Sequence, residues 1–83
     1  MRQVYDLTPQ FDSRASFYHK ARVEVEGKEK RLISYSTHVA TIKGDKAEVE
    51  GTYSNTTLRH IKEFLLQNGF EAKNKKQIEK DYM

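Results

Sequence analysis

The chain has 83 residues and no cysteine, which bounds it to one small domain with a thin core that no disulfide or thiolate metal site staples. A third of it is charged, yet 15 basic residues against 12 acidic ones leave a net charge of only +3, a weak pointer to an anionic partner. No apolar run approaches the roughly 20 residues of a membrane span. The opening MRQVYDLTPQ has no signal-peptide core, so a cytoplasmic setting is expected and a membrane partner is not.

Residues 1–15 carry no sustained period. Val4, Tyr5, Leu7 and Phe11 are apolar anchors separated by Asp6, Pro9 and Asp12, which predicts an irregular N-terminal arm packed on the domain. From Ser16 to Glu26 the pattern alternates as a strand does. Phe17, His19, Ala21, Val23 and Val25 fall on one side, and Tyr18, Lys20, Arg22, Glu24 and Glu26 on the other. Gly27-Lys28 makes a turn, and Lys30 to Tyr35 reads as a second strand with Leu32, Ile33 and Tyr35 as buried candidates. His38 to Lys43 is a third strand or a bent continuation of the second, because apolar parity breaks near Ser36-Thr37 as at a bulge or turn. Gly44-Asp45 closes a hairpin, and Lys46 to Tyr53 alternates again.

Ser54 to Phe70 is the segment with a clear helical period and recognisable ends. Ser54 or Asn55 is the N-cap candidate, and Asn68-Gly69-Phe70 supplies a stop with Gly69 left-handed and Phe70 folding back. Leu58, Ile61 and Leu65 line its apolar side, flanked by Phe64 and Leu66, with Arg59, His60, Glu63 and Gln67 opposite. Such a helix is marginal alone and needs a sheet beneath it. The tail Lys73 to Met83 is basic, with Ile78 and Tyr82 spaced to anchor one last helical turn or left to fray. The expected fold is therefore α+β. A three- or four-stranded antiparallel β-meander with one C-terminal helix packed on one face spans 16–72, between the 1–15 arm and the 73–83 tail. One helix cannot cover both faces of the sheet. The other face is solvated, covered by the arm, or a partner surface.

The chemistry-bearing residues do not assemble into a reaction. His19, His38 and His60 sit on three elements without paired metal-ligand spacing, so no metal is expected. No serine lies in a Gly-x-Ser-x-Gly elbow, and Gly27, Gly44, Gly51 and Gly69 are scattered rather than a phosphate loop. Neither enzymatic activity nor a cofactor is expected. Two binding patches remain. Tyr18, Lys20 and Arg22, joined by Lys30 and Arg31 on the next strand, form a basic and aromatic set suited to phosphates, unless Lys20 and Arg22 pair with Glu48 and Glu50 across the sheet. Arg59, His60 and Glu63 form a candidate protein contact on the helix, against the commoner reading of Arg59 and Glu63 as a surface pair.

Three runs carry a resemblance: Ser16-Phe17-Tyr18-x-Lys20-Ala21, Leu32-x-Ser34-Tyr35-x-Thr37-x-Val39-Ala40, and Tyr53-Ser54-x-Thr56-Thr57-x-Arg59-His60-Ile61-x-Glu63-Phe64-Leu65-x-Gln67-x-Gly69-Phe70. Together they resemble a group of small proteins of phages, plasmids and integrated elements of Gram-positive bacteria, without an established activity. Small proteins of such elements often bind host machinery, including CRISPR effectors and restriction enzymes. The resemblance therefore implies a non-enzymatic inhibitor or modulator, anti-CRISPR-like, acting in the host cytosol on a protein or ribonucleoprotein effector. The strand–strand–strand–helix order also resembles sheet-reading DNA-binding domains of some integrases and plant transcription factors. That makes a sheet-surface DNA- or RNA-binding protein the alternative expectation, and a homodimerisation module the third.

Overall fold

A computed structural model describes residues 2–12, 17, 19–50 and 54–83. Among them five strands form one antiparallel meander: β1 (Arg2–Asp6), β2 (Ala21–Glu26), β3 (Glu29–Ser34), β4 (Thr37–Lys43) and β5 (Lys46–Val49). Two helices follow, α1 (Asn55–Gln67) and α2 (Lys75–Tyr82). The α+β class and the meander are as expected, but the strand count and the single helix are corrected. The expected irregular arm contains β1, and the expected tail contains α2.

Each correction has a physical cause. β1 is an edge strand whose central residues Val4 and Tyr5 both remain largely exposed, so it has no apolar alternation to read. α2 is anchored by one fully buried side chain, Ile78, with Tyr82 half-buried beside it. Asn74 caps it, its side chain accepting from Gln77 N at 2.9 Å. In β2 the regular strand begins only at Ala21. Phe17 is buried from a preceding loop, and His19, expected among the inward residues, is exposed with φ 62°.

The register assigns the two faces. Val23 lies across from Leu32, Leu32 from Ala40, and Ala40 from Val49, all buried on the helix side. Opposite Leu32–Ile33 the register shifts by one residue, so Val39 is extra in β4 and both Val39 and Ala40 are buried. That bulge, together with the turn at Tyr35-Ser36, is the source of the broken parity. From α1 the fully buried Ile61, Phe64 and Leu65 meet this face, at about 1.5–3 kcal/mol of hydrophobic stabilisation each. α2 adds Ile78 against β5, so both helices cover the same face. No described element covers the other.

The ends of α1 match its sequence signals. Ser54 Oγ accepts from Thr57 N at 3.1 Å. At the far end Gly69 N donates to Leu66 O and Phe70 N to Leu65 O, the paired bonds of a Schellman stop, with Gly69 at φ 82°.

Candidate functional site

Three two-residue turns link β2 to β5, and their first residues are Gly27, Tyr35 and Gly44, each with φ 62°. Glycine adopts this conformation without steric cost; an aromatic residue does not, and about 1–2 kcal/mol of backbone strain is the ordinary figure. Tyr35 is nevertheless 52% exposed and fills no core position. Its ring lies 5.9 Å from that of His60, and its N–H donates to Lys20 O at 2.7 Å. His19, the other non-glycine residue at positive φ, stands in the same stretch leading into β2. Strain of this kind collects where the surrounding structure dictates a conformation, often at functional sites.

Beneath Tyr35 lies a buried polar group. Ser34 Oγ is 2.8 Å from His60 Nδ1 and 3.1 Å from Thr57 Oγ1, all three residues being buried. The Phe17 ring meets His60 edge-on at 4.6 Å. A serine beside a histidine is the start of a nucleophile–base pair, but here both side chains are closed off, at 2% and 1% exposure. What the arrangement does chemically is pin the first turns of α1 to the end of β3. The pin fixes where the Tyr35 turn sits and so supports that corner.

Of the expected protein-contact patch, only Arg59 remains partly exposed. His60 and Glu63 are buried, which corrects their placement on a polar helix face. Thr57, His60, Ile61 and Phe64 follow the helical period, so His60 lies inside the buried stripe. Glu63 is covered by the segment after β1. Its Oε1 accepts from Phe11 N at 2.9 Å and Asp12 N at 3.1 Å, and its Oε2 from Gln67 Nε2 at 2.6 Å. Arg59 pairs with Asp12 Oδ1 at 2.8 Å rather than with Glu63, and Gln67 Nε2 also donates to Thr8 O at 2.7 Å. Three helix residues thus hold residues 8–12.

The expected nucleic-acid set is not one surface. Tyr18 lies outside the described residues. Lys20 is exposed at the Tyr35 corner, and Arg22 is exposed on the helix-free face of β2. Lys30 points to the helix side, where Nζ donates to Asn68 Oδ1 at 2.6 Å. Arg31 is on the helix-free face but enclosed by acids, hydrogen-bonded to Glu29 and within 3.6 Å of Glu24 and 3.7 Å of Glu26. That hydrogen bond holds the Glu29 carboxyl below the usual carboxylate range, and Arg31 is raised for the same reason. Pairing of Lys20 and Arg22 with Glu48 and Glu50 does not occur, because β3 and β4 separate β2 from β5. At the described positions the face sets Asp6, Glu24, Glu26, Glu29 and Glu48 against Arg22, Arg31, Lys43 and Lys46. It carries no positive excess.

The other histidines stand apart. His19 Nδ1 is 2.6 Å from Asp6 Oδ2, and His38 Nε2 is 2.7 Å from Thr41 Oγ1. A shallow cavity of about 780 Å³ lies beside β5, lined by Thr41, Ala47, Phe70 and Tyr82 with acids and two lysines around it. No helix among the described residues is long and apolar enough to cross a membrane.

Fold and site together define a small meander scaffold that presents a strained aromatic corner and an open, charge-balanced sheet face. Over residues 5–80 the chain matches DUF8033, a family of unknown function, and it belongs to that family. No curated protein and no solved structure matches it.

Proposed function

We propose that the protein is a non-enzymatic binding module whose ligand is a protein surface and whose central contact is the Tyr35 corner, with Lys20 beside it. The observation that carries this reading is Tyr35 itself. It occupies the turn position that glycine takes in the neighbouring hairpins, yet its ring is largely exposed. Exposed aromatic side chains with a supported backbone are favoured interface anchors. The resemblance to proteins of phages, plasmids and integrated elements makes a host defence effector, such as a CRISPR nuclease or its ribonucleoprotein, the first partner to test. In that reading the protein is an inhibitor or modulator.

The test is an effector cleavage assay with the wild type and Tyr35→Gly. Glycine suits the backbone at this turn, so the variant is expected to fold while losing inhibition. Equal inhibition by both proteins removes Tyr35 from the contact, and no inhibition by the wild type across effector types removes the inhibitor reading.

The nucleic-acid alternative leaves the sheet, whose helix-free face lacks a basic excess. Its remaining support is the exposed set Lys75, Lys76 and Lys80 on α2. Anisotropy with a labelled duplex and a single strand at two salt concentrations decides it, because phosphate contacts weaken steeply with salt.

A further inference from the structure

Among the described residues β1 has a neighbour on one side only. Exposed edges are ordinarily blunted by shortness, lysine, proline or a bulge. β5, the opposite edge, is four residues long, carries Lys46 and has α2 against it. β1 has none of these devices. Its sequence RQVYD contains no Pro or Lys, its register against β2 is unbroken, and Val4 and Tyr5 are 52% and 44% exposed at its centre.

The backbone direction of that edge follows from one bond. Leu7 N donates to Ala21 O at 2.9 Å, continuing the β1–β2 register, so the hydrogen-bonded positions toward β2 are Leu7, Tyr5 and Gln3. The N–H and C=O groups of residues 2, 4 and 6 therefore point away from β2, into the open edge. We propose that two copies of this chain pair through β1, antiparallel and centred on Val4. In that register positions 2, 4 and 6 of one copy meet 6, 4 and 2 of the other, so every outward backbone group of the strand is satisfied. A slip of one repeat in either direction leaves an end pair unmade. The same register puts Val4 against Val4 on the axis, an apolar pair rather than like charges.

The paired positions all belong to the helix-free face, so the two open faces join into one ten-stranded surface. Dimerisation of this kind is independent of what the Tyr35 corner binds. It presents two such corners on one particle, where a bivalent partner gains from effective concentration.

Sedimentation equilibrium over a wide protein concentration range tests the pairing. The wild type is expected to move from 9.7 kDa toward twice that mass as concentration rises. Val4→Pro removes an outward N–H without touching the β1–β2 bonds, and is expected to stay at the monomer mass with unchanged circular dichroism. Val4→Lys sets two like charges against each other on the axis while facing Glu24 of β2 within each chain, and is expected to be monomeric. If Val4→Pro loses its fold, Val4→Lys decides alone. A wild type that is monomeric throughout, or a folded Val4→Pro or Val4→Lys that still dimerises, overturns the proposal.

Discussion

The two ends of the sheet are built from the same turn geometry and different residues. At one end Gly27 and Gly44 take φ 62° with open space around them, and the nearby side chains are exposed charges such as Lys43, Asp45 and Lys46. At the other end Tyr35 takes the same φ above a closed group of Ser34, Thr57 and His60. The glycine end is relaxed and replaceable. The tyrosine end combines backbone strain with buried polar atoms, both unfavourable unless the surroundings fix them. A chain that needed only a tight turn there had the glycine solution available twice over. The difference locates the part of the molecule that sequence economy alone does not account for.

The strongest way to break that comparison is to remove the support under the tyrosine. His60→Ala opens a cavity against Phe17 and below Tyr35, and leaves Ser34 without its ring nitrogen. A loss of about 3 kcal/mol is expected, roughly a 15 °C fall in the unfolding midpoint for a domain of this size. The matching change at the glycine end has no buried group to remove. A fall of under about 0.5 kcal/mol, the range of ordinary surface changes, would mean that the polar group does not hold α1 to β3.

Glu63 asks the same question midway along α1. Glu63→Ala strips the acceptor from Phe11 N and Asp12 N, and a destabilisation of about 2 kcal/mol is expected. Its distinctive sign is local: amide exchange at residues 11 and 12 speeds up far more than in β3 or α1. Uniform acceleration would show instead that the 8–12 segment is integral to the core.

Exchanging the turn residues sharpens the comparison most directly, through the sign of the effect. Gly44→Tyr recreates the strained backbone at the relaxed end with open space around the new Cβ, since nothing lies within 4 Å of it. A loss of about 1–2 kcal/mol is expected from strain alone. Tyr35→Gly relieves strain while adding unfolded-state entropy, so its stability stays within about 0.5 kcal/mol of wild type. Chemical denaturation of both variants checks the pair. Two equal losses would mean that the Tyr35 ring, not its backbone, governs that turn.

How far the sequence discloses all this depends on which signal each element uses. β2 to β5 and α1 were legible because alternation, turn dipeptides and caps agree: Val23, Leu32 and Ile42 are buried, and Ser54 and Gly69 bound the helix. β1 and α2 were not, because one exposes its apolar residues and the other buries only Ile78 completely. His60 and Glu63 were misplaced because residue type outweighed position. The period puts His60 in the buried stripe, with Ser34 and Thr57 as the hydroxyls that make its burial tolerable. The strain at Tyr35 leaves only an indirect trace, a two-residue gap between strands with no glycine in it. Lys30 and Arg31, neighbours in sequence, fall on opposite faces, and no composition argument could have kept them in one patch.

The smallest effect concerns the helix-free face, where the comparison is between buried pairing and exposed pairing. Glu29 is hydrogen-bonded to Arg31 where both side chains are partly open to solvent, and its carboxyl titrates below the usual value of 4.5. A carboxylate depressed in the folded state stabilises fully above its unfolded pKa, and that contribution is lost as pH falls through the folded one. Glu29→Gln cannot titrate. The gap between wild type and variant is therefore expected to be constant from neutral pH down to about 5, and to close below about 4.5. Salt should narrow it wherever Glu29 is ionised, as for a pair that solvent reaches. Unfolding midpoints of the two proteins from pH 7 to pH 3, at low and high salt, read this out. A gap that persisted at pH 3 would mean that Glu29 acts through packing and not through charge. The helix-free face would then be a fixed surface rather than one whose ion pairs are free to exchange with a partner's.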